Sequence, residues 1–166
     1  MDAARPSARL GARPATPGRR RGLSRTRAFR RPGSAVPALS GQKHQLALLL
    51  WSVTPEAPER CAAPFVYAAA AGAMDCEVEV HFTGAAVRLL VPGVAESLFG
   101  GPGAKKSIAA FMSDASEAGA KFYACPMALL QTGLRDGPFI AAYAGTVGAT
   151  AFVVKSLDPE WTTLVF

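Results

Sequence analysis

The sequence has few of the residues that build metal and redox centres. It contains three cysteines and two histidines among 166 residues. Three cysteines are an odd number and too few for a disulfide scaffold, so we expect a reducing, cytoplasmic location. The cysteines and histidines also show none of the spacings of known ligand sets, so we expect no metal site.

Long hydrophobic runs are also missing. The longest apolar run, LALLLW from Leu46 to Trp51, is far shorter than the roughly 20 residues that span a bilayer. We therefore expect no membrane association. We interpret the run as a core strand, because strands that are buried on both faces are continuously apolar.

Acidic residues are almost absent from the first quarter of the chain. Residues 1–42 hold ten arginines, no lysine and one acid, Asp2, for a net charge of +9. Residues 43–166 hold eight basic and eleven acidic residues, for a net charge of −3. Because the positive charge belongs to the tail, we expect no nucleic-acid binding except through that Arg-rich segment.

The N-terminal residues 1–41 are predicted to be a disordered Arg/Pro-rich extension. They lack apolar periodicity and have too little apolar surface to offset the entropy of ordering. Three interpretations stay open: a basic arm, an organellar transit peptide, or an extension without a function. Residues 42–166 are predicted to form the folded domain.

From His44 onward, strand patterns alternate with helix patterns, which is typical of a parallel sheet covered on both faces. The prediction is a three-layer, flavodoxin-like α/β domain with a mostly parallel sheet of about five strands. In CEVEVHF, apolar residues alternate strictly with polar ones, which puts Glu77, Glu79 and His81 on one face. This pattern predicts a strand near an edge of the sheet, with one face exposed to solvent. The predicted strands are 45–51, 76–82, 121–125, 138–143 and 162–166, and the predicted helices are about 59–74, 85–90, 107–118, a segment from Pro126, and 145–157.

Phosphate-binding fingerprints are not found. GGPGAKKS, from Gly100 to Ser107, resembles a P-loop, but Lys105 stands where the second glycine is required. The loop after the first predicted strand, SVTPEAPER, also lacks the glycines of a dinucleotide-binding turn. We therefore expect no cofactor.

Cys125, in KFYACPMALL, is the best candidate for a reactive residue. It follows a short apolar strand, and Pro126 then occupies the first position of a predicted helix, where proline is favoured. The positive end of a helix favours a thiolate, and ligands of open α/β sheets bind at the carboxyl ends of the strands. The alternative is a buried cysteine that serves as a small hydrophobic residue.

Three further residues are candidate auxiliaries at the same sheet edge. His81 ends its strand and could stabilise a thiolate or move a proton, or could be a polar residue on a wet face. Cys61, at the start of the first helix, could resolve a disulfide or simply pack on the sheet. Ser52 follows the first strand and could assist. Cys76 begins its strand at the opposite edge and is interpreted as inert.

The run from LALLLWSVTPEAPERC through CEVEVHFTGAAVRLL and KFYACPMALLQTGL to TTLVF resembles the DsrE/DsrF-like sulfur-relay family over about residues 43–166. The resemblance implies a flavodoxin-like fold, no organic cofactor and assembly into trimers or hexamers. It also implies that Cys125 carries sulfur as a persulfide between donor and acceptor proteins.

Three functions therefore stand as hypotheses. The first is a sulfurtransferase-type carrier that uses Cys125 alone, without a visible general base. The second is a non-catalytic oligomeric module for binding or regulation, in which Cys125 is merely buried. The third is a thiol redox protein that uses a Cys61–Cys125 disulfide, which requires Cα atoms within about 7 Å.

Overall fold

A computed structural model of the chain describes residues 44–166, so the predicted disordered extension, residues 1–41, lies outside the described residues. The described part contains one five-stranded sheet with the order β4-β3-β2-β1-β5. Every neighbouring pair is parallel, as the alternation of strands and helices predicts. The strands are β1 (Gln45–Leu50), β2 (Glu77–Phe82), β3 (Lys121–Ala124), β4 (Tyr143–Thr146) and β5 (Trp161–Val165).

Helices cover both faces of the sheet, which confirms the three-layer, flavodoxin-like α/β prediction. The α-helices are α1 (Ala62–Gly72), α2 (Ile108–Glu117), α3 (Pro126–Gln131) and α4 (Ala149–Leu157). Shorter 3-10 segments span Pro58–Arg60, Gly84–Leu90 and Ala95–Ser97. None of the helices described in residues 44–166 is long and apolar enough to cross a membrane.

The main hydrophobic core lies between the sheet and helices α1 and α2. Phe65 of α1 packs against Phe82 of β2 and Phe122 of β3, with ring centroids 6.0 and 5.9 Å away. All three side chains are fully buried. Burying each contributes roughly 1.5–3 kcal/mol of hydrophobic free energy, so this aromatic cluster fixes the sheet against α1.

The opposite face of the sheet is covered by α4, and here one prediction is wrong. Strand β2 lies at the centre of the sheet and not near an edge. Its polar face is covered because Phe152 of α4 packs on His81, and Lys155 of α4 pairs with Glu79. The polar alternation of β2 is therefore matched by a helix that carries a lysine, whereas the prediction assumed that water would satisfy it.

The predicted strand 138–143 and the predicted helix 145–157 are displaced in the structure. The fourth strand begins only at Tyr143, and α4 begins at Ala149. The segment before β4 does not join the sheet. Its Ile140 N–H donates instead to the carbonyl of Leu90, at 2.9 Å, and Leu90 is the last residue of the 3-10 segment Gly84–Leu90. Gly145 and Thr146, which were interpreted as the start of the helix, belong to β4 instead.

Other boundaries follow the sequence closely. Pro64 lies in the first turn of α1, where a proline removes no intrahelical hydrogen bond. Ser107 is the N-cap of α2, and its hydroxyl accepts a hydrogen bond from the N–H of Ala110 at 3.3 Å. The P-loop-like segment is thus the loop that leads into this capped helix.

Candidate functional site

Cys125 lies between the end of β3 and the start of α3, as the sequence predicts. It is the N-cap of α3, with Pro126 at the first helical position. Its N–H donates to the carbonyl of Phe82 at 2.8 Å, and its carbonyl accepts from the N–H of Leu129 at 3.0 Å. These two bonds fix the cysteine at the carboxyl edge of the sheet, next to the end of the central strand.

Two adjacent cavities meet at Cys125. The first, here called the His81 cavity, has a volume of about 180 Å³, and the second, the Gln131 cavity, about 280 Å³. Cys125, Trp51 and Thr83 line both cavities. The other residues of the His81 cavity are Leu49, His81, Phe82, Val147, Gly148, Ala149, Phe152 and Val153, and those of the Gln131 cavity are Gly84, Met127, Ala128 and Gln131.

The half-buried thiol of Cys125 therefore stands in an apolar surrounding at the amino ends of two helices. Cys125 caps α3, and Gly148, the N-cap of α4, lines the His81 cavity. The first N–H groups of a helix have no partner inside the helix and carry a partial positive charge. The free N–H groups and the partial positive charge at these helix ends favour a small anionic group beside Cys125.

His81 supplies the imidazole of the His81 cavity. It is only 4% exposed, and its Nε2 lies 3.0 Å from Oε2 of Glu79. Burial lowers the pKa of His81 below its usual 6.5, although the carboxylate of Glu79 acts in the opposite direction. The ring is held by Phe152 and Tyr123, whose centroids lie 5.5 and 5.9 Å away. The imidazole is therefore fixed and neutral at neutral pH.

Glu79 and Lys155 extend this polar group beneath α4, and the sequence analysis did not identify either as a site residue. Nζ of Lys155 lies 3.3 Å from Oε1 of Glu79 and 3.9 Å from the centre of the Trp161 ring. The sequence did contain one indication, because Lys155 is the sole charged residue of α4. A lone lysine of this kind often has a buried partner.

Cys61 is not brought to the cavities. Its side chain is fully buried in the core, and its thiol donates to the carbonyls of Thr54 and Ala57, at 3.3 and 3.7 Å. Burial raises the pKa of the Cys61 thiol. Cys61 and Cys125 are both free thiols, so no observation supports the disulfide hypothesis.

Ser52 and Cys76 also stand apart from Cys125. Ser52 is exposed, and its backbone N–H donates to the carbonyl of Phe166 at 2.8 Å. Its neighbour Trp51 ends the run that was interpreted as a core strand, but Trp51 is 71% exposed and lines both cavities. Cys76 precedes β2 at the opposite edge, as predicted.

No metal centre is seen in the part of the chain that the structure describes. None of the clusters of histidine, cysteine and carboxylate side chains in residues 44–166 could hold a metal ion. The groups of this chain that surround the site are the Cys125 thiol, the His81 imidazole and the first N–H groups of α3 and α4.

Comparison with known proteins agrees with this geometry. The model of the DsrE/DsrF-like family matches residues 46–166. The fold is similar to that of the YchN protein from E. coli, with a TM-score of 0.59, and to that of MTH1491 from Methanobacterium thermoautotrophicum, a protein of unknown function, with a TM-score of 0.53. Each is 13% identical in sequence, and each alignment covers 75% of this chain and 100% of the other.

These two structures establish the fold alone, and no curated protein matches the chain. The family match covers the whole sheet and its helices, including the strand–cysteine–helix segment at Cys125. It supports a role of the sulfur-relay type at the level of the family. The chain therefore belongs to the DsrE/DsrF-like family.

Proposed function

We propose that the protein carries sulfur as a persulfide on Cys125, between a donor protein and an acceptor protein. The observation that carries this proposal is the position of Cys125 where two cavities meet at the carboxyl edge of the sheet. The other two cysteines are less suited to the role, since Cys61 is fully buried and Cys76 lies at the opposite edge. Family membership supports sulfur relay as the general class of function.

The chemistry requires two thiol exchange steps. The Cys125 thiolate attacks the outer sulfur of a donor persulfide, the sulfur–sulfur bond of the donor breaks, and the donor thiol leaves. An acceptor thiolate then attacks the outer sulfur on Cys125, and the Cys125 thiol is regenerated. Neither step needs a cofactor or a net change of oxidation state, because each thiol lost is matched by a thiol formed.

The surroundings of Cys125 support the anionic forms of this cycle. The N–H groups of Met127 and Ala128 are in the first turn of α3 and have no acceptor inside the helix. The apolar walls of the His81 cavity, such as Leu49 and Phe152, would limit the access of bulk water. A shielded persulfide is less exposed to loss of its outer sulfur to small thiols in solution.

Mass spectrometry of the intact protein tests the proposal. After incubation with glutathione persulfide, we expect the wild type to gain the mass of one sulfur atom, and we expect Cys125→Ser to gain none. Cys61→Ser and Cys76→Ser are matched controls, because each removes one thiol from elsewhere in the fold, and both should gain sulfur like the wild type. An equal gain in Cys125→Ser would contradict the proposal.

We also propose that the protein functions as a homo-oligomer, a trimer or a hexamer. The support is a group of exposed apolar side chains around Cys125, namely Trp51, Met127 and Leu130, which are 71, 66 and 63% exposed. Exposed apolar clusters commonly mark protein interfaces. A neighbouring copy on this surface would shield the Gln131 cavity, which Trp51 and Met127 line.

A further inference from the structure

Three polar side chains form a row between the sheet and α4 that ends at the His81 cavity. Lys155 lies 3.3 Å from Glu79, and Glu79 lies 3.0 Å from His81. Their side chains are 19, 13 and 5% exposed, respectively. Removing charged side chains from water costs free energy, and this cost is offset only when the charges are paired. Here each of the three side chains has a partner.

Charge fixes the direction of the hydrogen bond between Glu79 and His81. The carboxylate of Glu79 forms an ion pair with the ammonium group of Lys155, and a carboxylate can only accept hydrogen bonds. Nε2 of His81 must therefore carry the proton and donate it to Glu79. In the neutral ring, Nδ1 then has a free lone pair and acts as an acceptor.

The position of the other ring nitrogen of His81, Nδ1, follows from its lack of a hydrogen bond. Nδ1 has no hydrogen-bond partner among the described residues, because the ring bonds only through Nε2. Yet every fully buried side-chain nitrogen and oxygen in that part of the chain has a partner. Nδ1 must therefore retain some accessible surface, and the His81 cavity is the space that His81 lines.

The register of the sheet puts this acceptor close to Cys125. His81 is paired with Tyr123, and Cys125 follows two residues later, so both side chains lie on the α4 face. A strand separation of about 4.8 Å and a rise of about 3.3 Å per residue place the two Cα atoms about 8 Å apart. An imidazole and a thiol can span this distance directly or through one water molecule.

We propose that Lys155, Glu79 and His81 form a proton relay for Cys125, in which Nδ1 of His81 accepts the thiol proton. Glu79 and Lys155 are positioning residues, because they act only through His81. The inference deepens the proposed function and rests on it, since it supplies the general base that the attack on a donor persulfide needs. The sequence already indicated His81 as a residue that could move a proton, and the structure adds Glu79 and Lys155 to it.

The step balances without a further reactant. The Sγ–H bond of Cys125 breaks and its proton passes to Nδ1, while the electron pair left on sulfur attacks the outer sulfur of the donor persulfide. The sulfur–sulfur bond of the donor then breaks, and the leaving thiolate takes the proton back from His81. The negative charge of Glu79 stabilises the imidazolium that exists between these events.

The groups around His81 are compatible with this role. Glu79 on its own strand and Lys155 on α4 are the charged groups that face it. Tyr123 of β3 contributes an aromatic ring. Leu49, which is the register partner of His81 on β1, is apolar. Burial lowers the pKa of His81, so the ring is neutral at neutral pH and is able to accept a proton.

The pH profile of Cys125 alkylation tests the relay. Trypsin releases Cys125 in the peptide of residues 122–135, which contains no other cysteine, so its reaction with iodoacetamide can be followed by mass spectrometry in the whole protein. The rate follows the thiolate fraction. Near neutral pH we expect Glu79→Gln to react about tenfold more slowly than the wild type. At alkaline pH the two rates should converge, because hydroxide and water then remove the thiol proton without help from His81.

Glu77→Gln is the matched control. Glu77 lies on the same strand and the same face, but at the opposite edge, where its carboxylate is 3.8 Å from Lys121. This variant should follow the wild-type profile. An unchanged profile in Glu79→Gln, or a decrease that is equal at every pH, would overturn the relay, because a merely structural role predicts one of these two results.

Imidazole nitrogen NMR on the wild type provides a test that does not depend on the folding of a variant. His44 is the only other histidine, so the signals can be assigned simply. We expect neutral His81 to carry its proton on Nε2, and the opposite tautomer would overturn the relay. Sulfur loading of Cys125 from glutathione persulfide separates the two proposals. If Cys125 is loaded but the alkylation profile of Glu79→Gln is unchanged, the relay alone is rejected. If the alkylation profile depends on Glu79 but Cys125 is not loaded, the carrier function alone is rejected.

Discussion

Burial and charge act in opposite directions on His81, and this balance has a consequence for stability. Burial is the larger effect, and it lowers the pKa of His81 in the folded protein below 6.5. Between this lowered value and about 6.5, the unfolded chain binds a proton that the folded protein does not bind. The stabilisation by neutral His81 is therefore complete above about pH 6.5 and is lost as the pH falls through the pKa of the folded state.

Urea unfolding at a series of pH values measures this contribution. Between pH 7 and about pH 5.5, the wild type should lose at most about 1.4 kcal/mol of unfolding free energy, because only the unfolded chain binds the extra proton over the pH unit below about 6.5. His81→Gln cannot be protonated, so it should lose less over the same interval. An equal loss in both proteins would show that other groups govern the acid sensitivity.

Single residues of the site differ in how far the sequence could predict them. Cys125 could be found because a strand, a cysteine and a proline are adjacent in the chain, and their placement depends on local structure. Glu79 and Lys155 could not be paired, because they are far apart in sequence and meet only when α4 crosses the sheet. Ser52 was predicted at the correct edge, but its side chain does not reach the cavities.

Among the elements, the helix α4 is the one that determines both the fold and the site. Three crossovers lead in one direction from β1 to β4, and α4 then returns across the sheet to β5, beside β1. This return covers the polar face of β2, which is an interior strand because it pairs with both β1 and β3. Strand order depends on such long-range packing, which is why the prediction of an edge strand was wrong although the strand itself was correct.

The contact between the ends of α1 and α2 offers a test of packing at the scale of elements. A Cβ atom at Gly72 would lie 2.2 Å from the carbonyl oxygen of Ala118. We expect Gly72→Ala to destabilise the protein by about 1–3 kcal/mol in urea unfolding, because the two helix ends would have to separate.

Gly100→Ala is the control for this substitution, since the nearest atom to its new Cβ, the carbonyl oxygen of Pro58, would be 3.9 Å away. The control should change the unfolding free energy by less than about 0.5 kcal/mol. If Gly72→Ala were as stable as this control, the close approach of α1 and α2 would not be a feature of the protein in solution.

At the scale of the whole described domain, a parallel sheet, predicted from the alternating pattern, is combined with an exposed apolar surface around Cys125. Leu130 belongs to this surface but lines neither cavity at Cys125. We therefore expect Leu130→Glu to reduce the mass measured by light scattering, from a multiple of three chains towards one chain. Val66→Glu, on the exposed side of α1, should leave the assembly unchanged. A wild-type protein that is already monomeric would contradict the proposal of a homo-oligomer.

The central claim is that Cys125 carries the transferred sulfur, and peptide mapping after exposure to glutathione persulfide tests it most directly. Trypsin separates residues 122–135, which contain Cys125, from residues 61–88, which contain Cys61 and Cys76. After the free thiols are blocked, the additional sulfur atom should be found on the peptide of residues 122–135. Additional sulfur only on the peptide of residues 61–88, or on neither peptide, would contradict the account.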